Sequence, residues 1–235
     1  MTEEKVLTQK TMSDEIKIID KCMITEFEKQ FRTWVKFACE EWKFPEPSQD
    51  YYSKIANRLP YGLQSLLFQG IKDGLIILEG KNFFIQSKTN KKGPYNWFSN
   101  FSSKKEPAPN WEWFVHAAEF VRFSNIANTN NLTVAFEDDL MDIALYKDKK
   151  LVVCCEVKEK SDKLMELIKG IKMYQNNIDF TISDRGNDPL RKAKYIIKRR
   201  PEYFCGVAIG TRFEFKVNYP NIGSFGLTED IIPWV

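Results

Sequence analysis

The sequence predicts an α/β fold in which a mainly helical N-terminal region precedes a sheet-containing C-terminal region. Apolar residues recur at helical spacing early in the chain, and from Trp111 onward the pattern is helix, three strands, helix, strand. In addition, Asp142, Glu156 and Lys158 stand inside two apolar segments with strand character. A charged group in a β-rich core is costly unless it is paired or binds a metal, so these three residues predict a functional site.

The composition is that of a soluble protein with a packed core. The chain has 235 residues, of which 43% are hydrophobic and 14% aromatic, and its net charge of +3 favours a nucleic-acid partner only weakly. The five cysteines have no metal-ligand spacing, which favours free thiols in a reducing cytosol. No apolar run is long enough to span a membrane, and the polar Met1–Lys5 is no signal peptide. We therefore expect a cytoplasmic protein without a membrane partner.

The first predicted element is a long amphipathic helix. Residues 1–12 are polar, Ser13 is a suitable N-cap, and Pro45 and Pro47 mark the end of the helix. Its apolar stripe is either a core face or a dimer seam. The stripe comprises Ile16, Ile19, Met23, Phe27, Phe31, Trp34, Ala38 and Trp42.

Two short helices and a hairpin are predicted next. The helices cover Gln49–Asn57 and Leu63–Asp73, and the hairpin strands are Leu75–Leu78 and Asn82–Gln86. This order resembles a winged helix-turn-helix, in which the second helix contacts the DNA major groove. The side chains that would face the groove are Gln64, Gln69 and Lys72. The alternative is a helical cap on the main domain, with the hairpin joining an existing sheet.

Residues 87–110 are predicted to form a loop that mixes basic and aromatic side chains. Five lysines (88, 91, 92, 104 and 105) alternate with Tyr95, Trp97, Phe98 and Phe101. Such a loop could follow a nucleic-acid backbone and stack on bases. Alternatively, its aromatic rings pack back onto the protein and its lysines are solvated. We place a domain boundary after this loop, between regions 1–110 and 111–235.

The C-terminal region contains the predicted sheet. Its expected helices are Trp111–Ile126 and Ser161–Asn176, the latter with Ser161 as N-cap. The expected strands are Leu132–Phe136, Met141–Tyr146, Leu151–Lys158, Lys194–Ile197, Tyr203–Ile209 and Phe213–Val217.

Strand alternation places Glu156 and Lys158 on one face, about 7 Å apart along the strand. Asp142 lies on the preceding strand of the same hairpin, so a short turn would bring it near Glu156. Two carboxylates in reach of one cation suit Mg²⁺ or Mn²⁺, and the carbonyl of Val157 could add a ligand. Lys158 would orient a water molecule or stabilise developing negative charge.

Asp142, followed by Glu156-Val157-Lys158, resembles the motif of the PD-(D/E)XK nuclease superfamily, which has the restriction-endonuclease-like fold. The resemblance covers about residues 111–217. It implies a mixed central sheet flanked by helices, and an acidic residue on the helix before the site strands. Glu119 matches that position, and Glu112, one heptad earlier, is the alternative.

The resemblance also implies nucleic-acid contacts from Lys172 and Gln175 on the helix after the site strands. The order Tyr174-Gln175 departs from the usual Gln-x-x-x-Tyr spacing, and Met141 replaces the proline that often precedes the aspartate. The implied activity is Mg²⁺- or Mn²⁺-dependent hydrolysis of double-stranded DNA, with Asp142 and Glu156 as metal ligands. A type II restriction endonuclease acting as a homodimer fits this reading best.

Other functions remain open. The chain could be a repair, phage-defence or mobile-element nuclease of the same fold, or a DNA-binding protein that does not cut. His116 is the only histidine and is either structural or a general base near the metal. The segment 185–216 is rich in lysine and arginine, Lys192 included, and is either a phosphate-binding flank or a solvated face.

Overall fold

The structure is a computed structural model that describes residues 26–87, 91–176 and 178–233. Within these residues it is a mixed α/β fold with six helices. The helices are α1 (described over residues 26–42), α2 (Gln49–Ala56), α3 (Tyr61–Lys72), α4 (Trp111–Asn130), α5 (Ser161–Met173) and α6 (Asp188–Arg199). Residues 1–12, the predicted N-cap Ser13 and the first part of the apolar stripe lie outside the described residues.

The strands form three sheets. The first contains β1 (Ile76–Glu79), β2 (Asn82–Gln86) and β3 (Lys91–Asn96), and the second pairs β4 (Phe98–Phe101) with β5 (Glu106–Pro109). The third and largest contains β6 (Thr133–Asp138), β7 (Met141–Lys147), β8 (Lys150–Val157), β9 (Tyr203–Ala208), β10 (Thr211–Asn218) and β11 (Gly226–Glu229).

The six-stranded sheet has the order β11-β10-β9-β8-β7-β6. All neighbouring strands are antiparallel except β8 and β9, which run parallel and are joined by a crossover containing α5 and α6. Leu164 and Ile168 of α5 and Ile196 of α6 belong to the core on one face, whereas Phe120 of α4 belongs to the core on the other. The sheet is therefore mixed and lies between helices.

The described part of the long helix α1 packs into the protein core. Phe27, Phe31, Trp34 and Ala38 are buried in one cluster with side chains of α4 and of the large sheet. The core-face interpretation of the stripe is therefore confirmed over these residues, and the helix ends before Pro45 as predicted. This cluster crosses the proposed boundary at residue 110.

The two short helices and the hairpin form where they are predicted, and β3 extends the hairpin to three strands. Helix α3 packs tightly on α4 at Gly70. A Cβ atom at that position would come within 2.4 Å of the Val121 side chain and 2.9 Å of Ile76. Glycine is thus needed for the close approach, and one side of α3 is occupied by α4 rather than being open to a ligand.

The prediction of a loop over residues 87–110 is wrong for most of the segment, because β3, β4 and β5 lie within it. Trp97 and Phe98 are buried, and the Trp97 ring stacks between Trp34 and Phe83, with centroids 4.9 Å and 3.7 Å away. These rings stabilise the core and are not free to stack on bases. Phe101 remains exposed, and Lys88 lies outside the described residues.

Three further predictions in the C-terminal region need correction. Residues 194–197 belong to helix α6 and not to a strand; Asn187 caps this helix by accepting a hydrogen bond from the Leu190 N–H, and Pro189 occupies its first turn. Ser161 is the first residue of α5, and Lys160 occupies the N-cap position. Strand β11 was not predicted. Among the described residues, no helix combines the length and apolar character needed to cross a bilayer.

Candidate active site

Asp142 and Glu156 lie at the same end of two neighbouring strands. Ile143 of β7 pairs with Cys155 of β8, which makes Asp142 and Glu156 the next residues outward on each strand. The backbone N–H of Val157 donates a hydrogen bond of 2.6 Å to Oδ2 of Asp142. This hydrogen bond from the last residue of β8 fixes the position of the Asp142 carboxylate beside Glu156.

Glu156 is a fully buried carboxyl group between two lysines. Lys192 of α6 forms an ion pair with its Oε1, and Nζ of Lys158 lies 3.6 Å from its Oε2. That Oε2 atom has no hydrogen-bond donor among the described residues. Burial and then the charge of Asp142 raise the pKa of Glu156 to about 8, although Lys192 and Lys158 act in the opposite direction. Glu156 thus has an oxygen that could accept a further positive partner.

Lys158 lies directly after β8 and connects two acids. Its Nζ is 3.6 Å from Glu156 and 3.8 Å from Glu112, the first-turn acid of α4. Partial burial would lower the pKa of Lys158, but Glu156, Asp142 and Glu112 outweigh that effect and raise it. Lys158 is consequently an ammonium at neutral pH. Its backbone N–H donates to the carbonyl of Val207 at 2.9 Å, which holds this end of β8 against β9.

Glu119 does not belong to this cluster, which corrects its assignment as the helix acid. Nη1 of Arg212 on β10 lies 2.6 Å from Glu119 Oε2, and Nε of Arg122 lies 3.1 Å from Oε1. Positions seven apart share a helix face but are separated by about 10 Å along the axis. Glu112, on the turn nearer the site, is the acid that reaches Lys158, and Glu119 is a buried partner of two arginines.

His116, Glu137 and Asp142 form a group that could hold a metal ion, since one ligand atom from each lies within 4.8 Å of the others. Nε2 of His116 lies 2.8 Å from the Asp142 carbonyl oxygen, and Nδ1 lies 3.5 Å from Glu137 Oε1. Burial lowers the pKa of His116, so the ring is neutral at pH 7. A neutral ring that donates from Nε2 to the carbonyl directs its Nδ1 lone pair at the Glu137 carboxylate. A cation between these two acceptors would satisfy both.

The ring of His116 is also held firmly in place. It stacks on Phe136 with centroids 4.0 Å apart, and on Trp113 at 5.4 Å with nearly parallel planes. The sequence offered only a structural role or a general base for His116, and Glu137 was not identified as a site residue. The sequence feature that points to Glu137 is the acidic run Glu137-Asp138-Asp139 directly before β7.

Two clefts give access to the cluster. One, of about 300 Å³, is lined by Glu112, His116, Glu137 and Asp142 together with the rings of Trp111 and Trp113. The other, of about 290 Å³, is lined by Glu112, Lys158, Lys160 and Lys163. Glu112 and Glu159 border both clefts. An acidic cleft therefore adjoins a cleft in which three lysines alternate with three acids, since Asp162 also lines the second one. Carboxylates for a cation thus lie beside lysines for an anionic substrate.

The predicted nucleic-acid contacts lie elsewhere. Gln64 is 1% exposed and its Nε2 donates to the carbonyl of Leu59, so its assignment to a major groove is wrong. Gln69 is half-buried, and its Oε1 accepts a hydrogen bond of 3.4 Å from Asn125 of α4. Lys72, at the end of α3, is exposed.

Lys172 and Gln175 lie at the end of α5, on the opposite face of the sheet from α4. The Nζ of Lys172 lies 4.6 Å above the ring of Phe215, and the backbone carbonyl of Gln175 accepts a hydrogen bond from Phe225. Among the described residues, no contact joins the side chain of Lys172 or that of Gln175 to Asp142. Lys192 belongs to the basic segment that the sequence predicts to be a phosphate-binding flank or a solvated face. In the structure it is buried beside Glu156.

Comparisons with protein-family models, with curated proteins and with solved structures find no match to this chain.

Proposed function

We propose that this protein is a metal-dependent endonuclease that hydrolyses DNA phosphodiester bonds and has a restriction-endonuclease-like catalytic core. The observation that carries the proposal is the meeting of Asp142, Glu156, Lys158 and Glu112 where β7 begins and β8 ends, beside two open clefts. A mixed sheet flanked by helices, with α4 directly before the site strands, is what the PD-(D/E)XK resemblance implies, and this arrangement supports the proposal.

The donor atoms at the cluster fit a divalent cation. Asp142 and Glu137 supply carboxylate oxygens, His116 supplies a neutral nitrogen, and Oε2 of Glu156 is buried without a hydrogen-bond donor among the described residues. Carboxylate oxygens suit Mg²⁺ and Mn²⁺, and an imidazole ligand adds a preference for the softer Mn²⁺. A bound cation would polarise a phosphate oxygen and lower the pKa of a water molecule.

The remaining residues have roles that follow from their charge and position. The ammonium of Lys158 stabilises negative charge that develops on the phosphate, because it is charged at neutral pH and faces the cleft. Glu112 keeps that ammonium at the cleft by pairing with it from the side of α4. Lys160 and Lys163 line the same cleft and contribute to attracting the phosphate backbone.

The proposed substrate is double-stranded DNA, cleaved at specific sequences by a homodimer in the manner of a type II restriction endonuclease. The pattern of products separates this activity from its relatives. Discrete fragments from a plasmid indicate a restriction enzyme, whereas random nicks indicate a repair, phage-defence or mobile-element nuclease. A gel shift without any cleavage indicates a DNA-binding protein and contradicts the catalytic proposal.

The experiment compares purified wild-type protein with Asp142→Asn on supercoiled plasmid, with Mg²⁺, with Mn²⁺ and with EDTA. The matched control is Asp148→Asn, which removes an exposed carboxylate at the opposite end of the same hairpin. We expect wild type and Asp148→Asn to cleave in either metal and to be inactive in EDTA, and Asp142→Asn to lose cleavage. Equal activity of the two variants would contradict the proposed site.

A further inference from the structure

Lys192 is a buried ammonium that none of the roles above uses. It lies on the inner face of α6 with a side chain 7% exposed. Its Nζ donates to the backbone carbonyl of Leu140 in the turn between β6 and β7, and it forms an ion pair with Oε1 of Glu156 on β8. One amino group therefore joins the ends of the two strands that carry Asp142 and Glu156.

The Lys192 amino group lies where its positive charge balances the negative charge of the site. A buried lysine is costly without a partner, and Glu156 is the carboxylate with which Lys192 pairs among the described residues. The second oxygen of Glu156 lies 3.6 Å from Lys158. Glu156 thus has one ammonium at each oxygen, whereas Asp142, Glu137 and His116 face the acidic cleft.

We infer that Lys192 is a positioning residue that competes with the divalent cation for Glu156. In the cation-free protein its amino group holds and orients the carboxyl group of Glu156, and the cation binds first to His116, Glu137 and Asp142. The Oε1 atom of Glu156 becomes available to the cation when the Lys192 amino group moves away from it. This inference rests on the proposed function, because it concerns the same metal site.

The test is a double-mutant cycle in Mn²⁺ affinity, measured by calorimetry at pH 8.5 on the full chain without DNA. The proteins are wild type, Lys192→Met, Glu156→Gln and the double variant, with Lys198→Met as a control for losing one exposed charge of α6. Because Lys192→Met frees Oε1 of Glu156 for the cation, we expect this variant to bind Mn²⁺ at least about tenfold more tightly. In the Glu156→Gln background the same change should have less than about a twofold effect.

The outcomes separate this inference from the proposed function. If Mn²⁺ binds and Lys192→Met matches Lys198→Met, the inference is overturned while the metal site stands. If neither wild type nor Lys192→Met binds Mn²⁺, both are overturned. If the cycle behaves as expected but DNA is not cleaved, the inference stands and the nuclease proposal fails.

A second measurement needs no variant and therefore does not depend on the folding of Lys192→Met. Lys192 of the wild-type protein is treated with an acylating reagent, and its modification is followed by peptide mass spectrometry with and without Mn²⁺. We expect Mn²⁺ to increase acylation of Lys192 several-fold and to leave exposed Lys198 unchanged. Equal protection of Lys192 in both conditions would contradict its displacement by the cation.

Discussion

His116 lies 2.8 Å from the backbone carbonyl of Asp142, and its other ring nitrogen faces Glu137 at 3.5 Å. The first contact directs the Nε2 proton to the carbonyl, which leaves Nδ1 as the atom that can bind a cation. Stacking on Phe136 holds the ring in that orientation. The backbone carbonyl of Asp142 thus determines that Nδ1 is the nitrogen of His116 that can bind a cation.

A first prediction concerns the choice of metal. Replacing His116 by Gln removes the nitrogen ligand but keeps a polar side chain of similar reach. We expect Mn²⁺ affinity to fall by about tenfold or more and Mg²⁺ affinity to change much less, because imidazole suits the softer metal. Calorimetric titration with each metal measures the two changes. Equal losses for both metals would show that His116 acts through the fold rather than as a ligand.

A second prediction concerns Lys158, whose ammonium faces the lysine-lined cleft. The variant Lys158→Met should lower the rate of DNA cleavage by about a hundredfold or more, because one stabilising donor at the reacting phosphate is lost. Metal binding should be retained, since a positive charge beside the carboxylates is removed. Single-turnover cleavage and Mn²⁺ titration test the two statements, with exposed Lys147→Met as the control. Loss of metal binding together with cleavage would contradict this role.

A third prediction follows from the raised pKa of Glu156, which burial brings to about 8. A carboxyl whose pKa is higher in the folded than in the unfolded state stabilises the fold at low pH, and this contribution is lost as pH rises toward the folded pKa. Without divalent cations, the free energy of unfolding of the wild type should therefore decrease between about pH 4.5, the ordinary pKa of a glutamate, and about pH 8. Glu156→Gln cannot ionise and should give a flatter profile in urea unfolding. Parallel profiles would contradict the raised pKa.

The sequence was sufficient for those parts of the site that depend on local structure. Alternation along β8 placed Glu156 and Lys158 on one face, and the short turn to β7 placed Asp142 beside them, as the structure has it. Glu137 lies opposite Asp142 in the β6–β7 hairpin and is a local signal that the sequence analysis misses, whereas Lys192 reaches the site through tertiary packing. Glu137 comes from the end of β6, and Lys192 comes from α6, part of which was predicted as a strand.

The errors in the fold have a similar origin. Residues 195–197 form a short apolar run that is compatible with a strand or with one side of a helix, and the cap at Asn187 favours the helix. In the segment 87–110, the mixture of lysines and aromatic residues predicts a loop, but Trp97 and Phe98 bury enough apolar surface in the core to hold short strands in place. Neither outcome is decided by residues adjacent in sequence.

The last prediction separates the two acids of α4, Glu112 and Glu119. Glu119 is 2% exposed and pairs with Arg212 and Arg122, whereas half of the Glu112 side chain is accessible and it pairs with Lys158. Glu119→Gln leaves Arg212 partly buried with a weaker partner, so we expect a loss of about 1–3 kcal/mol in the free energy of unfolding. Cleavage per folded molecule should be retained.

Glu112→Gln is the matched variant, and the opposite result is expected for it. Its exposed ion pair contributes about 1 kcal/mol or less to stability, so urea unfolding should change little. DNA cleavage should fall, because Lys158 loses the partner that keeps its ammonium at the cleft. If instead Glu119→Gln abolished cleavage without destabilising the protein, the sequence-based assignment of Glu119 would be correct and the site would have to extend along α4 toward Arg212.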